Sequence, residues 1–388
     1  MPIISAPRML VEGQLSGPAN LVVEGGTIVD VVEGQPSSDS LRLDHGLLTP
    51  GLIDLQINGY YGVDFVDATT EEWVAVSCRL PETGVTAFQP TFITAPVERL
   101  LVGMQHAAAA LPALAAAPGA ARVLGVHLEG PFLSPRQAGV HDISFMHPAT
   151  AEDLDALLAP GFLELISMMT LAPELPGALE AIQRLRAHGI VVSIGHSDAR
   201  GTEVEAAADA GARMVTHIFN AQRGLGHREP GVAGQALADP RLTVGLIADL
   251  HHVAPEICTI VMHAARGRVA LVTDAVAAAG MPPGSYELGG QQIRIFPGEG
   301  LARRTDGTIA GSSLSLDAAV RNLVDVGIAA SDVLDAATRV PADVLGRTDL
   351  GRLATGARAD LVWWSDDLRP LRVWIGGRVA YDATSVSA

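Results

Sequence analysis

The chain has 388 residues, of which 48% are hydrophobic. This length allows one large domain with a substantial core and a smaller second domain, and the composition excludes an intrinsically disordered protein. The formal net charge of −17 argues against broad binding to nucleic acid or to an anionic membrane.

The two cysteines, Cys78 and Cys258, are far apart and form no Cys-x-x-Cys motif. We therefore expect no disulfide framework and predict a cytoplasmic location, where thiols stay reduced. The first residues, MPIISAPRMLVEG, lack the basic segment and long apolar run of a signal peptide. We also expect no membrane helix, because no uninterrupted apolar stretch reaches the ~18 residues that such a helix requires.

Short β-prone runs with turn signals fill both ends of the chain. NLVVEGGTIVDVVEG lies in the first fifty residues, and GRLATGARADLVWW and LRVWIGGRVAY lie in the last forty. We predict that residues 1–49 and 350–388 pair into a small β-sandwich domain. Residues 50–349 would form the larger domain beside it.

The predicted larger domain alternates apolar strand candidates with amphipathic segments such as ALEAIQRLRAHG, whose final glycine is a typical helix stop. Near-continuous apolar runs are expected of parallel strands that are buried on both faces. Eight such units predict an α/β fold, a (β/α)8 TIM barrel. The strand candidates are LLTPGLIDLQI, GVTAFQPTFI, RVLGVHLEG, LELISMMTLAP, IVVSIGHSD, RMVTHIFNA, LTVGLIADLHH and RVALVTDAV.

Polar residues cluster at the C-terminal ends of these strand candidates. Randomly placed polar residues would not fall at the same end of so many strands. Barrel enzymes have their active sites at this end. The clustered residues are Gln56, Asn58, Gln89, His127, Glu129, His196, His217, Asn220, Asp249, His252 and Asp274.

Three of the clustered residues indicate a metal site. Glu129, His196 and His217 each end an apolar strand, and one carboxylate with two imidazoles and an open position is a recurrent catalytic zinc shell. The same ligands suit iron or another divalent ion, so the metal identity stays open. The alternative is that each is a buried polar group satisfied by hydrogen bonds, which is the better interpretation of a single histidine but not of three such strand ends.

Asp274 ends the eighth strand candidate, LVTDAV. We predict that it is the general base, which takes a proton from the attacking water and later delivers it to the leaving amine. A nearby cation would keep its carboxylate ionised. The alternative is that Asp274 caps the next segment or orients a histidine.

The first strand candidate carries Gln56 and Asn58 where a His-x-His pair would supply metal ligands. Carboxamides form hydrogen bonds but are poor ligands for a transition metal. A two-metal site that uses this strand is therefore disfavoured, although a weak second ion near these residues stays open.

Together these motifs resemble the N-acetylglucosamine-6-phosphate deacetylase family of the amidohydrolase superfamily, over essentially the whole chain. PGLID and ADLV alone mark only the superfamily, whereas the full set is specific. The motifs are PGLIDLQINGYYGVDF, GVHLEGPFLS followed by GVHD, TLAPE, IGHSDA, THIFNAQRGLGHREPG, LIADLHHV, LVTDAV and GTIAGSSLSLDAAVRNLV.

The resemblance implies hydrolysis of the acetamide of N-acetylglucosamine 6-phosphate to glucosamine 6-phosphate and acetate. It implies that Glu129, His196 and His217 bind one divalent metal ion per chain, zinc or iron, and that Asp274 is the acid and base. The Gln-x-Asn pattern is similar to that of family members that bind one metal ion.

The resemblance also implies substrate contacts. His141 is similar to part of the sugar-binding wall, although a local hydrogen bond is the simpler role for a loop histidine. The remaining sugar-binding candidates lie in the GVHD, FNA and TIAGSS motifs, where small residues allow close backbone approach. They are Val140, Asn220, Ala221, Ile309, Ala310 and Gly311.

For the phosphate, the resemblance implies Arg228 and His252, with His251 as the alternative histidine and Asp249 in the same substrate-binding segment. The planar guanidinium of arginine suits phosphate oxygens. In the family this arginine reaches the phosphate from a neighbouring subunit, which implies a homodimer. The alternative for Arg228 is a solvated surface charge.

Other functions remain compatible with the sequence. The barrel alone does not separate this activity from deacetylation of another N-acetylhexosamine phosphate or from cyclic-amide hydrolysis. A non-catalytic regulator that binds sugar phosphates is a further alternative, but it would not need Glu129, His196, His217 and Asp274 together. The preferred hexosamine epimer and the pathway, amino-sugar catabolism or cell-wall recycling, stay open.

Overall fold

The structure is a computed structural model, and it describes residues 3–296 and 301–386. In chain order, its strands are β1 (Ile3–Ala6), β2 (Met9–Val11), β3 (Gln14–Ser16), β4 (Ala19–Glu24), β5 (Thr27–Glu33), β6 (Leu41–Arg42), β7 (Leu47–Pro50), β8 (Leu52–Ile57), β9 (Gly59–Tyr60), β10 (Val63–Asp64), β11 (Val85–Ile93), β12 (Arg122–Val123), β13 (Val126–Glu129), β14 (Ile166–Leu171), β15 (Val191–Ile194), β16 (Met214–Val215), β17 (Thr243–Ile247), β18 (Val269–Val272), β19 (Gly284–Leu288), β20 (Gln291–Ile295), β21 (Ala302–Arg303), β22 (Leu361–Trp364), β23 (Pro370–Ile375) and β24 (Arg378–Asp382).

The helices of the described residues fall between the strands of the larger domain. α1 begins after Thr69, whose hydroxyl accepts a hydrogen bond from the Glu72 amide while the Glu72 side chain accepts one from the Thr69 amide. The helices are α1 (Thr70–Arg79), α2 (Val97–Ala116), α3 (Ala151–Leu157), α4 (Ala178–Ala187), α5 (Gly201–Ala210), α6 (Gly231–Ala238), α7 (Pro255–Ala264), α8 (Leu316–Asp325), α9 (Ala330–Ala336) and α10 (Arg339–Val344).

The central sheet is the predicted barrel. Its strands run in the order β12-β11-β13-β14-β15-β16-β17-β18, with β8 paired to β11, and every pairing is parallel. Backbone hydrogen bonds join the two ends of the sheet: the Asp274 amide donates to the Gln56 carbonyl at 2.9 Å, and the Asn58 amide to the Ala275 carbonyl at 2.8 Å. The α/β barrel prediction is confirmed.

The apolar runs explain why these segments form barrel strands. All nine residues of β11 and all six of β8 are buried, as expected of strands with the barrel interior on one face and helices on the other. Alternating runs such as β4, by contrast, bury every second residue, which is typical of a sheet with one solvent face.

The two ends of the chain form two β-sheets. One has the order β5-β4-β1-β6, and the other has the order β24-β23-β22-β7-β2-β3. A separate hydrophobic cluster that includes Leu21, Ile28, Leu48, Trp363 and Trp374 joins the two sheets, which is the packing expected of a β-sandwich. The exact division of the chain at residues 49/50 and 349/350 stays a prediction.

A three-stranded antiparallel sheet, β19-β20-β21, follows the last barrel strand. The sequence interpretation did not include it. Its residues Leu288 and Ile293 pack in one hydrophobic cluster with Ile93 and Val276. Ile93 is the last residue of the barrel strand β11, and Val276 follows the barrel strand β18. The sheet therefore forms part of the wall at the barrel mouth.

Candidate active site

A cavity of about 280 Å³ opens at the C-terminal ends of the barrel strands. Most of the residues that the sequence singled out line it, although they come from segments far apart in the chain. They are Glu129, Val140, His141, His196, His217, Asn220, Ala221, His252, Asp274, Ile309 and Gly311. Ligand sites of barrel enzymes lie at this end.

Glu129, His196 and His217 form a compact triangle in this cavity. Glu129 Oε1 lies 3.2 Å from His196 Nε2 and 2.9 Å from His217 Nε2, and the two Nε2 atoms are 3.2 Å apart. His196 and His217 have positive φ angles of 46° and 26°, a region that is strained for non-glycine residues and is found preferentially at functional sites.

The triangle fits a divalent cation. A tetrahedral ion with bonds of ~2.0–2.1 Å separates its ligand atoms by about 3.3 Å, close to the observed spacing. His196 Nδ1 lies 2.9 Å from the Gln137 carbonyl oxygen, so it carries the proton and leaves the Nε2 lone pair for a metal.

His141 is a third imidazole beside the same carboxylate. Its Nε2 lies 3.8 Å from Glu129 Oε2, and its Nδ1 lies 2.8 Å from the Thr94 hydroxyl. Glu129, His141 and His196 are also close enough together to hold a metal ion. The set with His217 is tighter, and burial lowers the pKa of His141 well below its usual value, so this ring is neutral at the wall of the cavity.

The side chains of the first strand satisfy the carboxylates. Gln56 Nε2 donates to Glu129 Oε1 at 3.2 Å and to Asp274 Oδ1 at 3.1 Å. Asn58 Nδ2 donates to the same Asp274 oxygen at 2.7 Å. Amide hydrogens thus stand between two carboxylates, where a second cation would otherwise balance their charge.

Asp274 is positioned for proton transfer. Its Oδ1 accepts both amide hydrogen bonds, which leaves Oδ2 for a proton. Burial raises the pKa of Asp274 to about 6, and the Glu129 carboxylate adds to the rise, while His217 and Asn58 oppose it. A carboxyl with this pKa is mainly ionised at neutral pH, and its pKa is close to the range in which a general base is most efficient.

The three predicted sugar-binding residues of the TIAGSS motif do not all face the cavity. Ile309 and Gly311 line the cavity, whereas Ala310 is fully buried in the hydrophobic cluster behind it. Sequence reasoning missed Ile93, Ile247 and Leu288, which add an apolar wall. They are ordinary core residues by sequence, so no local motif distinguished them.

The phosphate candidates divide into two groups. His251 and His252 both line the cavity, and Asp249 Oδ2 lies 2.6 Å from His252 Nδ1. Asp249 is not in the cavity wall but orients His252. Arg228 lies outside the cavity in the exposed segment 224–228 and forms no hydrogen bond or ion pair with any described residue of its own chain.

The amidohydrolase family profile matches residues 47–380, which span the barrel and much of the second sheet. The chain belongs to the amidohydrolase family. The curated relatives are similar over nearly their whole length. The N-acetylglucosamine-6-phosphate deacetylase of Vibrio furnissii is 37% identical over 94% of this chain and 91% of its own.

Another relative of this amidohydrolase is named for a different substrate. The N-acetylgalactosamine-6-phosphate deacetylase of Escherichia coli O157:H7 is 36% identical over 97% of this chain and 99% of its own. Among solved structures, a mutant N-acetyl-D-glucosamine-6-phosphate deacetylase of Mycobacterium smegmatis, in complex with N-acetyl-D-glucosamine-6-phosphate, has a TM-score of 0.91 and 34% identity. That alignment covers 98% of this chain and 99% of the solved one.

Below the site, this amidohydrolase has a buried carboxyl that sequence reasoning did not assign. Asp54 Oδ2 accepts a hydrogen bond from the Thr273 hydroxyl at 2.7 Å, and its Oδ1 accepts from the Gln56 amide at 3.2 Å. Burial raises the pKa of Asp54 to about 7. Asp54 therefore ties the first barrel strand to the residue before Asp274.

A chain of hydroxyl groups fills the barrel interior of this amidohydrolase. His127 Nε2 lies 2.7 Å from the Thr170 hydroxyl, which lies 2.7 Å from the Thr216 hydroxyl. Burial lowers the pKa of His127 to about 4, so its ring is neutral. Its ring hydrogen bonds are to Thr91 and Thr170 and not to a candidate metal ligand, and it supports the barrel layer beneath the site.

Proposed function

We propose that the chain hydrolyses the acetamide of N-acetylglucosamine 6-phosphate, giving glucosamine 6-phosphate and acetate. The observation that carries this proposal is the triangle of Glu129, His196 and His217 beside the Asp274 carboxyl in one cavity. Support also comes from the names of relatives that match nearly the whole chain.

Glu129, His196 and His217 would hold one divalent metal ion per chain, zinc or iron. A cation in this position supplies Lewis acidity, which makes an amide carbonyl more electrophilic and a water easier to deprotonate. The spacing of the three ligand atoms and the tautomer of His196 support this assignment. The amide donors of Gln56 and Asn58 favour one ion over two.

Asp274 would act first as base and then as acid. Its Oδ2 would accept the proton of the attacking water and return it to the departing nitrogen, while Gln56 and Asn58 hold Oδ1 and so fix the direction of the carboxyl. Proton transfer by a positioned carboxyl contributes about 10²–10⁴-fold to such a reaction.

The sugar would lie against the wall formed by Val140, His141, Asn220 and Ala221, under the loop that contains Ile309, Ala310 and Gly311. The cavity volume of about 280 Å³ is close to the lower limit for small-ligand sites, roughly 300 Å³. Ile93, Ile247 and Leu288 would contact the apolar face of the ring.

Arg228 and His252 would bind the phosphate, with Arg228 supplied by the second subunit of a homodimer. Support comes from the absence of any arginine among the described residues that line the cavity. Leu225, which is 55% exposed in the same segment as Arg228, offers apolar surface for a subunit contact. His251 also lines the cavity and is the alternative to His252.

Deacetylation of N-acetylgalactosamine 6-phosphate is the second candidate function, because a relative with that name is about as similar as those named for the glucosamine substrate. The two sugars differ at one hydroxyl. Cyclic-amide hydrolysis and a non-catalytic regulatory role are less well supported, since the first leaves the phosphate residues without a task and the second leaves Asp274 without one.

Acetate release tests these alternatives directly. The purified chain is assayed with the two epimeric phosphosugars and with unphosphorylated N-acetylglucosamine. We expect the highest kcat/KM with N-acetylglucosamine 6-phosphate. Equal cleavage of the unphosphorylated sugar would contradict the phosphate site, preference for the galactose epimer would favour the second candidate, and no acetate from any substrate would contradict the enzyme assignment.

We also propose that the protein works in the cytoplasm, in amino-sugar catabolism or cell-wall recycling. Cys78 and Cys258 are both free thiols in the structure, which suits a reducing compartment. None of the helices in the described part of the chain combines the length and apolar character needed to cross a membrane. The net charge of −17 disfavours nucleic acid as a partner.

A further inference from the structure

A second cavity, of about 580 Å³, lies far from the barrel mouth. It is bounded by the end of α2, the start of β12 and the hairpin turns before β5 and β24. Because β12 begins the barrel strand that leads to Glu129, the start of β12 is at the opposite end of the barrel from the candidate metal ligands. The active-site residues do not reach this cavity.

Three arginines line this cavity: Arg122, Arg358 and Arg378. No aspartate or glutamate is among the described residues that line it. Arg358 is held by Asp360, with Nε 3.1 Å from Oδ2. Arg122 and Arg378 form no side-chain hydrogen bond or ion pair with any residue in the ranges 3–296 and 301–386, and the buried Nε of Arg122 has no acceptor there.

Arg122 and Arg378, which have no partner among the described residues, differ from most arginines of this chain. The chain has 43 acidic residues against 26 basic ones, and most of the described arginines pair with a neighbouring aspartate. A guanidinium that loses water without gaining an acceptor is destabilising. Burial and the charge of Arg358 lower the pKa of Arg122, while the more distant charges of Asp360 and Asp349 oppose this.

The residues that line the cavity indicate the class of ligand that it would bind. Two adjacent glycine turns, Gly25–Gly26 and Gly376–Gly377, approach so closely that a Cβ at Gly26 would lie 2.8 Å from the Gly376 carbonyl oxygen. Leu111, Leu114 and Ile375 add apolar surface on the cavity wall. The cavity is therefore cationic at one side and apolar at another, and its volume suits a small organic molecule.

We propose that this cavity binds a small phosphate monoester, with the phosphate held by Arg122, Arg358 and Arg378 and the carbon skeleton against Leu114 and Ile375. Guanidinium groups match the geometry of phosphate oxygens and form charge-assisted hydrogen bonds with them. The site is separate from the catalytic cavity and does not depend on the proposed reaction.

Calorimetric titration with inorganic phosphate tests the site on the purified full chain. The titration compares wild type with the double variant Arg122→Gln/Arg378→Gln, and with Arg42→Gln as the control. Arg42 is an exposed arginine of β6 whose side chain has no hydrogen bond or ion pair to any described residue, so its loss removes one charge away from the cavity. Arg122 and Arg378 are outside the proposed catalytic machinery, so acetate release serves as a check on folding.

We expect the double variant to bind one phosphate fewer per chain than wild type, or to bind it at least ~10-fold more weakly at this site, while Arg42→Gln matches wild type. The same stoichiometry and affinity in wild type and double variant would overturn the proposal, and so would an equal loss in Arg42→Gln. If the double variant does not fold, Arg378→Gln alone must weaken the binding, because its exposed side chain has no structural partner among the described residues. Unchanged binding in that variant would overturn the proposal as well.

Discussion

The two sides of the barrel mouth differ in what surrounds their buried carboxylates, Glu129 and Asp274. On the side of β13, β15 and β16, Glu129 faces the Nε2 atoms of two histidines, an arrangement that suits a cation. On the side of β8 and β18, Asp274 already accepts hydrogen bonds from Gln56 and Asn58. In the proposed site, one side would bind a metal ion, and the other has amide hydrogens where a second ion would lie.

A buried carboxylate in this mouth can therefore be stabilised in two ways. Burial of an ionised carboxyl is costly unless a cation or hydrogen bonds compensate. A metal ion offers strong compensation and Lewis acidity, whereas amide donors offer compensation and direction only. The side with amides can therefore keep a carboxyl available for proton transfer.

The largest expected effect comes from removal of a metal ligand. His196→Ala or His217→Ala should release the metal and lower kcat/KM by about 10³-fold or more, because several kcal/mol of transition-state stabilisation are lost. Metal analysis and acetate release are measured on the same samples. His106, which is exposed on α2, gives the control His106→Ala, and metal retention in the His196 and His217 variants would contradict the assignment.

Asp274→Asn should separate the two sides of the mouth. The ligands remain, so the metal content should stay near that of wild type, while kcat falls by about 10²–10⁴-fold because the base is lost. A variant that loses its metal would place Asp274 among the ligands. A variant with normal kcat would remove it from the chemistry.

Gln56→Met tests whether the amide hydrogens matter. Methionine has a similar length but no donor, so Asp274 loses one hydrogen bond and the two carboxylates lose their bridge. Hydrogen bonds to charged groups are worth about 1.5–3 kcal/mol, and we expect kcat to fall ~10–100-fold with one metal still bound. Gln105→Met, on the exposed face of α2, is the control. Full activity in Gln56→Met would show that the Gln56 amide is not needed to hold the Asp274 carboxylate.

The smallest expected effect concerns the phosphate. Arg228→Ala should raise KM for the phosphorylated substrate about 10-fold, with little change in kcat, because a charge-assisted contact to the phosphate is lost. Mixed dimers then test the subunit origin of the arginine. If Arg228 acts across the interface, protomers with Arg228→Ala and protomers with Asp274→Asn form heterodimers with one intact site, and activity at low substrate returns on mixing. No recovery on mixing would contradict the shared site.

Most of the barrel could be predicted from the sequence because strands that are buried on both faces have near-continuous apolar sequences. Strands such as β17 and β18 are apolar almost throughout, and the polar residues that follow them identify the mouth. The helix predicted over ALEAIQRLRAHG is α4, Ala178–Ala187. The sheet β19-β20-β21 was missed because its short strands alternate in burial and resemble those at the chain ends.

The candidate site could be predicted less completely. The convergence of Glu129, His196, His217 and Asp274 follows from their position at strand ends, and the structure brings them together. The bridging role of Gln56 could not be predicted, because the direction of a carboxamide depends on which neighbours are anionic. Leu288 reaches the cavity through the fold of the inserted sheet, which no local pattern reveals. The predicted roles of these residues stay predictions.

The central claim is that one metal ion, held on one side of the mouth, serves the reaction. The most direct measurement is stepwise return of zinc or ferrous ion to thoroughly chelated enzyme, with acetate release from N-acetylglucosamine 6-phosphate recorded at each step. We expect almost no acetate release before addition of the ion, and a linear rise in activity that ends at one ion per chain. Full activity after chelation, or a rise that continues to two ions per chain, would contradict a one-metal site.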